Sequence, residues 1–149
     1  MWNDLERYRR ISRARRGLLW EALAFLAVAR IAMACVPFRR IAAWLGTPGA
    51  ESPATVTPEI AATAEAIGWA VSALGPRVPW DGRCLAQALA AAAMLRRRGV
   101  EATVSLGVRE GESAGFTAHA WLRVGARVVT GGAGHEGYKA FTTFARGNS

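Results

Sequence analysis

Two side chains in this sequence have the chemistry and spacing of a nucleophile and its base: Cys84 and His119, 35 residues apart. Cys84 opens the run Cys84-Leu85-Ala86-Gln87-Ala88-Leu89-Ala90-Ala91-Ala92-Ala93-Met94-Leu95, which has very high helix propensity. Asp81 is a capping residue, so the helix is expected to begin with Gly82, Arg83 and Cys84. A thiol in the first turn of a helix meets partial positive charge and free backbone N–H groups, which stabilise a thiolate. The same amides can hold an oxyanion beside the sulfur. His119 falls in an alternating stretch: Phe116, Ala118, Ala120, Leu122 and Val124 form one strand face, and Thr117, His119, Trp121 and Arg123 the other. An imidazole facing the thiol would take its proton and so create the nucleophile of a covalent acyl transfer. The plainer alternatives are a cysteine that packs as a small hydrophobe and a histidine with a structural hydrogen bond.

Such a pair needs a third group to orient the imidazole, and no Asp follows Asp81. With Gly125-Ala126 as a two-residue hairpin turn, Val124 opposes Arg127, Trp121 opposes Thr130 and His119 opposes Gly132. Thr130 is then a diagonal neighbour of His119 on the same face and the expected orienter. A backbone carbonyl near Gly131 and the carboxylate of Glu136 are the other acceptors. Hydroxyl and carbonyl groups fix a tautomer but stabilise an imidazolium less than a carboxylate does. Gln87, one turn beyond Cys84, either polarises the site or packs there. Cys35, inside an apolar helix, reads as structural. The spacing of Cys84, His119 and His135 matches no usual zinc site, so no metal is expected. Gly131-Gly132-Ala133-Gly134 has no phosphate-loop lysine and opens no helix, so no cofactor is expected either.

The elements that must position these residues form a helix followed by an antiparallel sheet. Arg96, Arg97 and Arg98 complement the negative end of the helix dipole, and Gly99 supplies the stop. Strands are expected at Glu101 to Arg109, Phe116 to Val124 and Arg127 to Thr130, with a short last element from Tyr138 to Phe144. Upstream, Leu18 to Phe38 is 21 mostly apolar residues, about the length of a bilayer crossing. Glu21 and Arg30 interrupt it, which disfavours spanning. It reads as a core helix, with peripheral membrane contact as the alternative. Arg39 to Leu45 adds another turn, and Thr47 to Pro53 reads as a linker that supports neither helix nor strand. Thr57 caps a helix with Pro58 at its first position, running to Leu74 with Ile60, Ala64, Ile67 and Val71 on one stripe. The fold class is α+β, with residues 1–75 as a helical N-terminal region and 76–149 as the core domain.

Composition narrows the classes further. The 149 residues are 52% hydrophobic and 20% charged, which excludes a disordered or coiled-coil chain. Two cysteines make no disulfide framework, no signal peptide is visible, and a reducing cytoplasm is the simpler location. The net charge of +8 is uneven: residues 1–40 hold nine Arg against Asp4, Glu6 and Glu21, giving +6. That balance permits nucleic acid, an acidic peptide or an anionic membrane, and selects none of them.

Five motifs in order, Val78-Pro79-Trp80, Cys84-Leu85-Ala86-Gln87-Ala88-Leu89, Leu95-Arg96-Arg97-Arg98-Gly99-Val100, Leu106-Gly107-Val108 and Ala118-His119-Ala120-Trp121-Leu122, resemble the lasso-peptide leader peptidases. These are transglutaminase-like cysteine proteases. The greasy helix ending in Pro37-Phe38-Arg39-Arg40 is similar to the stand-alone form of that family. The resemblance implies a papain/transglutaminase-like core, a Cys-bearing helix on a small antiparallel sheet. It also implies a cysteine endopeptidase that cuts a ribosomal precursor between leader and core. Cys84 would be the nucleophile and His119 the base and acid. An Asp usually completes the triad where Thr130 or Gly131 stands here. The implied partners are the precursor's leader, a small leader-recognition protein and an ATP-dependent lasso cyclase; nucleic acid is not among them. The other readings of the same residues are a non-catalytic scaffold of the maturation complex and a related thiol acyltransferase.

Overall fold

The structure, a computed structural model, describes residues 2–79, 83–110, 116–132 and 137–146. Helices α1 (Trp2–Arg10), α2 (Arg13–Cys35) and α3 (Phe38–Leu45) lead into a two-residue strand, β1 (Thr47–Pro48). Then come α4 (Pro58–Leu74), a 3-10 turn (Gly75–Arg77) and α5 (Cys84–Arg97). Strands β2 (Thr103–Glu110), β3 (Phe116–Val124), β4 (Arg127–Thr130) and β5 (Lys139–Ala145) complete the order. The fold is α+β, with a small antiparallel sheet against helices. Local chemistry sets the boundaries. The Thr57 hydroxyl accepts the Ile60 N–H at 3.3 Å ahead of Pro58. Ser12 accepts from Arg15 in the same way and so starts α2 five residues before Leu18. Gly99, at φ 69°, ends the α5 segment in the left-handed conformation.

The sheet order is β1-β5-β2-β3-β4, antiparallel throughout. One face packs on α4 and α5, and α2 packs on both helices from the far side. The core is made of small and branched side chains. Ala86, Ala88, Ala90 and Ala91 of α5 are almost fully buried, a thin cylinder that lets both layers approach. Leu26, Ile67, Met94, Leu95 and Leu122 fill the space between them. Truncating any of these to Ala would cost about 2–5 kcal/mol.

Three expectations need correction. The Thr47 to Pro53 segment is not purely a linker: Thr47 pairs with Ala145 and Pro48 with Phe144, and the Gly49 N–H donates to Thr143 at 2.8 Å. Pro is tolerated there because β1 is an edge strand. Contacts cross the 75/76 boundary. β1 belongs to the same sheet as β2 to β5, α2 and α4 share the core with α5, and the buried Ser52 N–H donates to Thr103 Oγ1 at 2.8 Å. Finally, α2 is a core helix on one side only. Ala22, Leu26 and Ala29 are buried, while Trp20, Val28 and Ile31 are exposed. Cys35, at its last position, is also exposed rather than packed.

Candidate active site

Cys84 is the first residue of α5. Arg83 holds the capping position in extended conformation and its side chain caps no amide. The helix therefore begins two residues later than an Asp81 cap would give; Asp81 and Gly82 lie outside the described residues. The first ladder bond runs from the Gln87 N–H to the Arg83 carbonyl at 2.9 Å. The amides of Cys84, Leu85 and Ala86 precede that bond, as the first N–H groups of any α-helix do. They gather at the position of the half-buried thiol, which packs at the edge of the core. The Gln87 side chain lies against Gly75, where any Cβ would overlap its amide.

His119 sits in the middle of β3, paired with Gly107 of β2. Its imidazole lies between two rings, Trp121 at 5.9 Å and Tyr138 at 4.9 Å between centroids. Gly107 makes the room. Trp121 lies over it, and a Cβ there would stand 2.7 Å from the indole Cη2. Arg109, on the same face, places its guanidinium 4.7 Å from the Tyr138 ring. Tyr138, expected only to pack in a last element, and Arg109 thus flank the imidazole; the signal in the sequence was an aromatic residue just before the strand that pairs with β2.

The group that orients His119 is the Gly131 carbonyl, 2.7 Å from Nε2. A carbonyl oxygen only accepts, so Nε2 is the protonated nitrogen of the neutral ring and Nδ1 carries the lone pair. Thr130, the expected orienter, is displaced by a β-bulge. The β3–β4 pairing starts in the expected register, Val124 with Arg127 and Arg123 with Val128, then steps to Leu122 with Thr130. Val129 is the extra residue, and one added residue turns every later side chain to the other face. Thr130 thus joins the Leu122 side, 1% exposed, with no hydrogen-bond partner for its hydroxyl among the described residues. Gly131, at φ 67°, comes round beside Ala120 and Trp121, where a Cβ would run into the Ala120 carbonyl.

Among the described residues no hydrogen bond joins Cys84 to His119. Cys84 packs against the core that holds Ala120, Leu122 and Val124. Strand alternation projects His119, Trp121 and Arg123 from the other face of β3. The structure therefore supplies a thiol at the start of α5 and a tautomer-fixed imidazole on β3, a strand that packs against α5. His135 and Glu136 lie outside the described residues.

Neither the curated proteins nor the solved structures include a match to this chain. A family model does match, over residues 32–146, a stretch that takes in the end of α2, all five strands, Cys84 and His119. By that match the chain belongs to the transglutaminase-like superfamily, whose members are typically cysteine-dependent enzymes.

Proposed function

We propose that this protein is a cysteine endopeptidase that removes the leader from a ribosomal lasso-peptide precursor, with Cys84 as nucleophile and His119 as base and acid. The observation that carries the reading is the His119–Gly131 hydrogen bond. It leaves Nδ1 as the basic nitrogen within a family of thiol enzymes, and Cys84 opens a helix in the same matched stretch. Nδ1 takes the thiol proton as sulfur attacks the scissile carbonyl carbon, and the first amides of α5 receive the developing oxyanion. The C–N bond breaks as the imidazolium returns that proton to the departing amine, leaving a thioester. Water, deprotonated by Nδ1, then releases the leader carboxylate and the free thiol. Because the two side chains stand on opposite faces of β3, this reading requires a rearrangement on substrate binding that brings Nδ1 within hydrogen-bond reach of the thiol. The leader, a small leader-recognition protein and an ATP-dependent cyclase are the proposed partners, and the cytoplasm the proposed location.

The test is cleavage of a lasso precursor in the presence of its recognition protein, followed by mass spectrometry. One cut at the leader–core junction, lost in Cys84→Ala and in His119→Ala, is the expected result. Cleavage that survives Cys84→Ala overturns the assignment. A second reading, a scaffold that docks precursor and partners without catalysis, is favoured by the absence of a direct Cys84–His119 bond among the described residues. It predicts no cut by wild-type protein with the partner demonstrably bound, and alkylation of Cys84 by iodoacetamide no faster than a model cysteine peptide. A thiol acyltransferase would instead conjugate the leader to an added primary amine.

A further inference from the structure

The two sides of α2 meet different surroundings. Ala22, Leu26 and Ala29 are buried, whereas Trp20, Ala24, Val28, Ile31 and Cys35 follow at steps of three or four residues on the opposite side and are exposed. Trp20, Val28 and Ile31 leave 64%, 57% and 62% of their surface to solvent. No charged side chain interrupts this stripe. Phe38 of α3 extends it, and a groove of about 420 Å³ between α2, α3 and α5 shares Val28 and Val36 with it. A contiguous apolar patch of this kind on a folded chain marks an interaction surface.

Charge says what covers it. Arg9, Arg10 and Arg13 precede the stripe in the chain and Arg39 and Arg40 follow it, and none makes an ion pair among the described residues. An apolar helix face bordered at both ends by arginines without an ion pair among the described residues, with Trp20 near its first end, suits the boundary between anionic headgroups and acyl chains. The same rims oppose a second copy of this chain, which would bring two sets of arginines together. Spanning is opposed by the inner face. Glu21 is held by Arg97 at 2.9 Å and Arg98 at 2.7 Å, and withdrawal of α2 would strip the core from α4 and α5.

We infer that the outer face of α2, continued by α3, docks on an anionic lipid bilayer, with the helix lying in the membrane plane and the sheet on the aqueous side. The test is flotation of the full chain with vesicles of phosphatidylglycerol and phosphatidylcholine in equal parts, against vesicles of phosphatidylcholine alone. The chain should float with the anionic vesicles only, and less at high salt. Val28→Glu and Ile31→Glu, both at exposed positions, should lower partition by an order of magnitude or more with an unchanged circular dichroism spectrum. Arg10→Gln and Arg13→Gln should each lower it roughly fivefold. The inference is overturned if wild-type protein does not float, or if both glutamate variants float like wild type. It is equally overturned if bound protein resists an alkaline wash, which would mean spanning, or if Ile31→Glu dissolves a lipid-free dimer, which would make a second copy the occupant.

Discussion

His119 Nε2 donates to the main-chain oxygen of Gly131 across 2.7 Å, and the bulge that brings this carbonyl into place turns the Thr130 hydroxyl away into the core. A carbonyl only accepts, so it holds the neutral imidazole in one tautomer. It also stabilises the imidazolium less than a carboxylate would. The chemistry proposed for this site therefore rests on orientation more than on a buried countercharge.

Thr130→Val separates the two acceptors. Its buried hydroxyl has no partner among the described residues, so replacing it with a methyl group of the same shape should leave stability unchanged or raise it by about 1 kcal/mol. Precursor cleavage should be retained. Urea denaturation alongside the cleavage assay checks both; loss of cleavage at unchanged stability would return the orienting role to Thr130.

Gly131→Ala should do the reverse. At φ 67° an L side chain is strained, and here its Cβ meets the Ala120 carbonyl, so a loss of about 1–3 kcal/mol is expected. Because the Gly131 carbonyl must shift with its residue, cleavage should fall by more than the stability loss alone accounts for. Thermal denaturation combined with the imidazole NMR shifts of His119 measures the two effects. An unmoved imidazole signal would count against the coupling.

Glu21 makes part of the stability depend on acid. The hydrogen bond from Arg98, with Arg97 adding to it, holds this carboxyl below the usual carboxylate range in spite of its burial. A depressed folded value gives stability that is present above the ordinary carboxylate pKa and lost as pH falls through the lowered one. Glu21→Gln should cost about 1 kcal/mol at neutral pH, with the gap to wild type closing below roughly pH 4. Urea midpoints across that range check it; a constant gap would show that Glu21 acts only through packing.

A fragment of residues 76–149 should not fold. It would lack α2 and α4 from one side of α5 and β1 from the edge of β5. A near-random circular dichroism spectrum and fast proteolysis are expected. A cooperative melt of the fragment would show that residues 76–149 fold by themselves.

Much of the C-terminal half was legible because its signals are local. Alternation from Phe116 to Val124, Gly125 at φ 57° in the hairpin turn, and the alanine run closed by Gly99 all lead to the elements observed. The register beyond the turn was not legible. Val128, Val129 and Thr130 are all strand formers, and nothing in their types marks Val129 as the residue left over. β1 escaped for a related reason: a Thr-Pro pair becomes a strand only through partners nearly a hundred residues away. Helix α1 gains its order from contacts outside itself, with Trp20 donating to the Tyr8 hydroxyl at 2.9 Å and Arg16 over the Tyr8 ring. The candidate site follows the same division. The helix that carries Cys84 and the strand that carries His119 come from local pattern, while the carbonyl that orients the imidazole comes from a tertiary bulge.

The pairing of Thr47 with Ala145 also fixes an order of events. The first strand to leave the ribosome is the last to find its neighbour, since residues 139–145 must be synthesised before it has one. Until then the N-terminal helices can gather around α4 and α5, but the sheet edge stays open and the Gly49 amide lacks its acceptor on Thr143. Folding of such long-range contacts is slow. Completion of the sheet, and with it the closing of its β1 edge, therefore waits until residues 139–145 have been made.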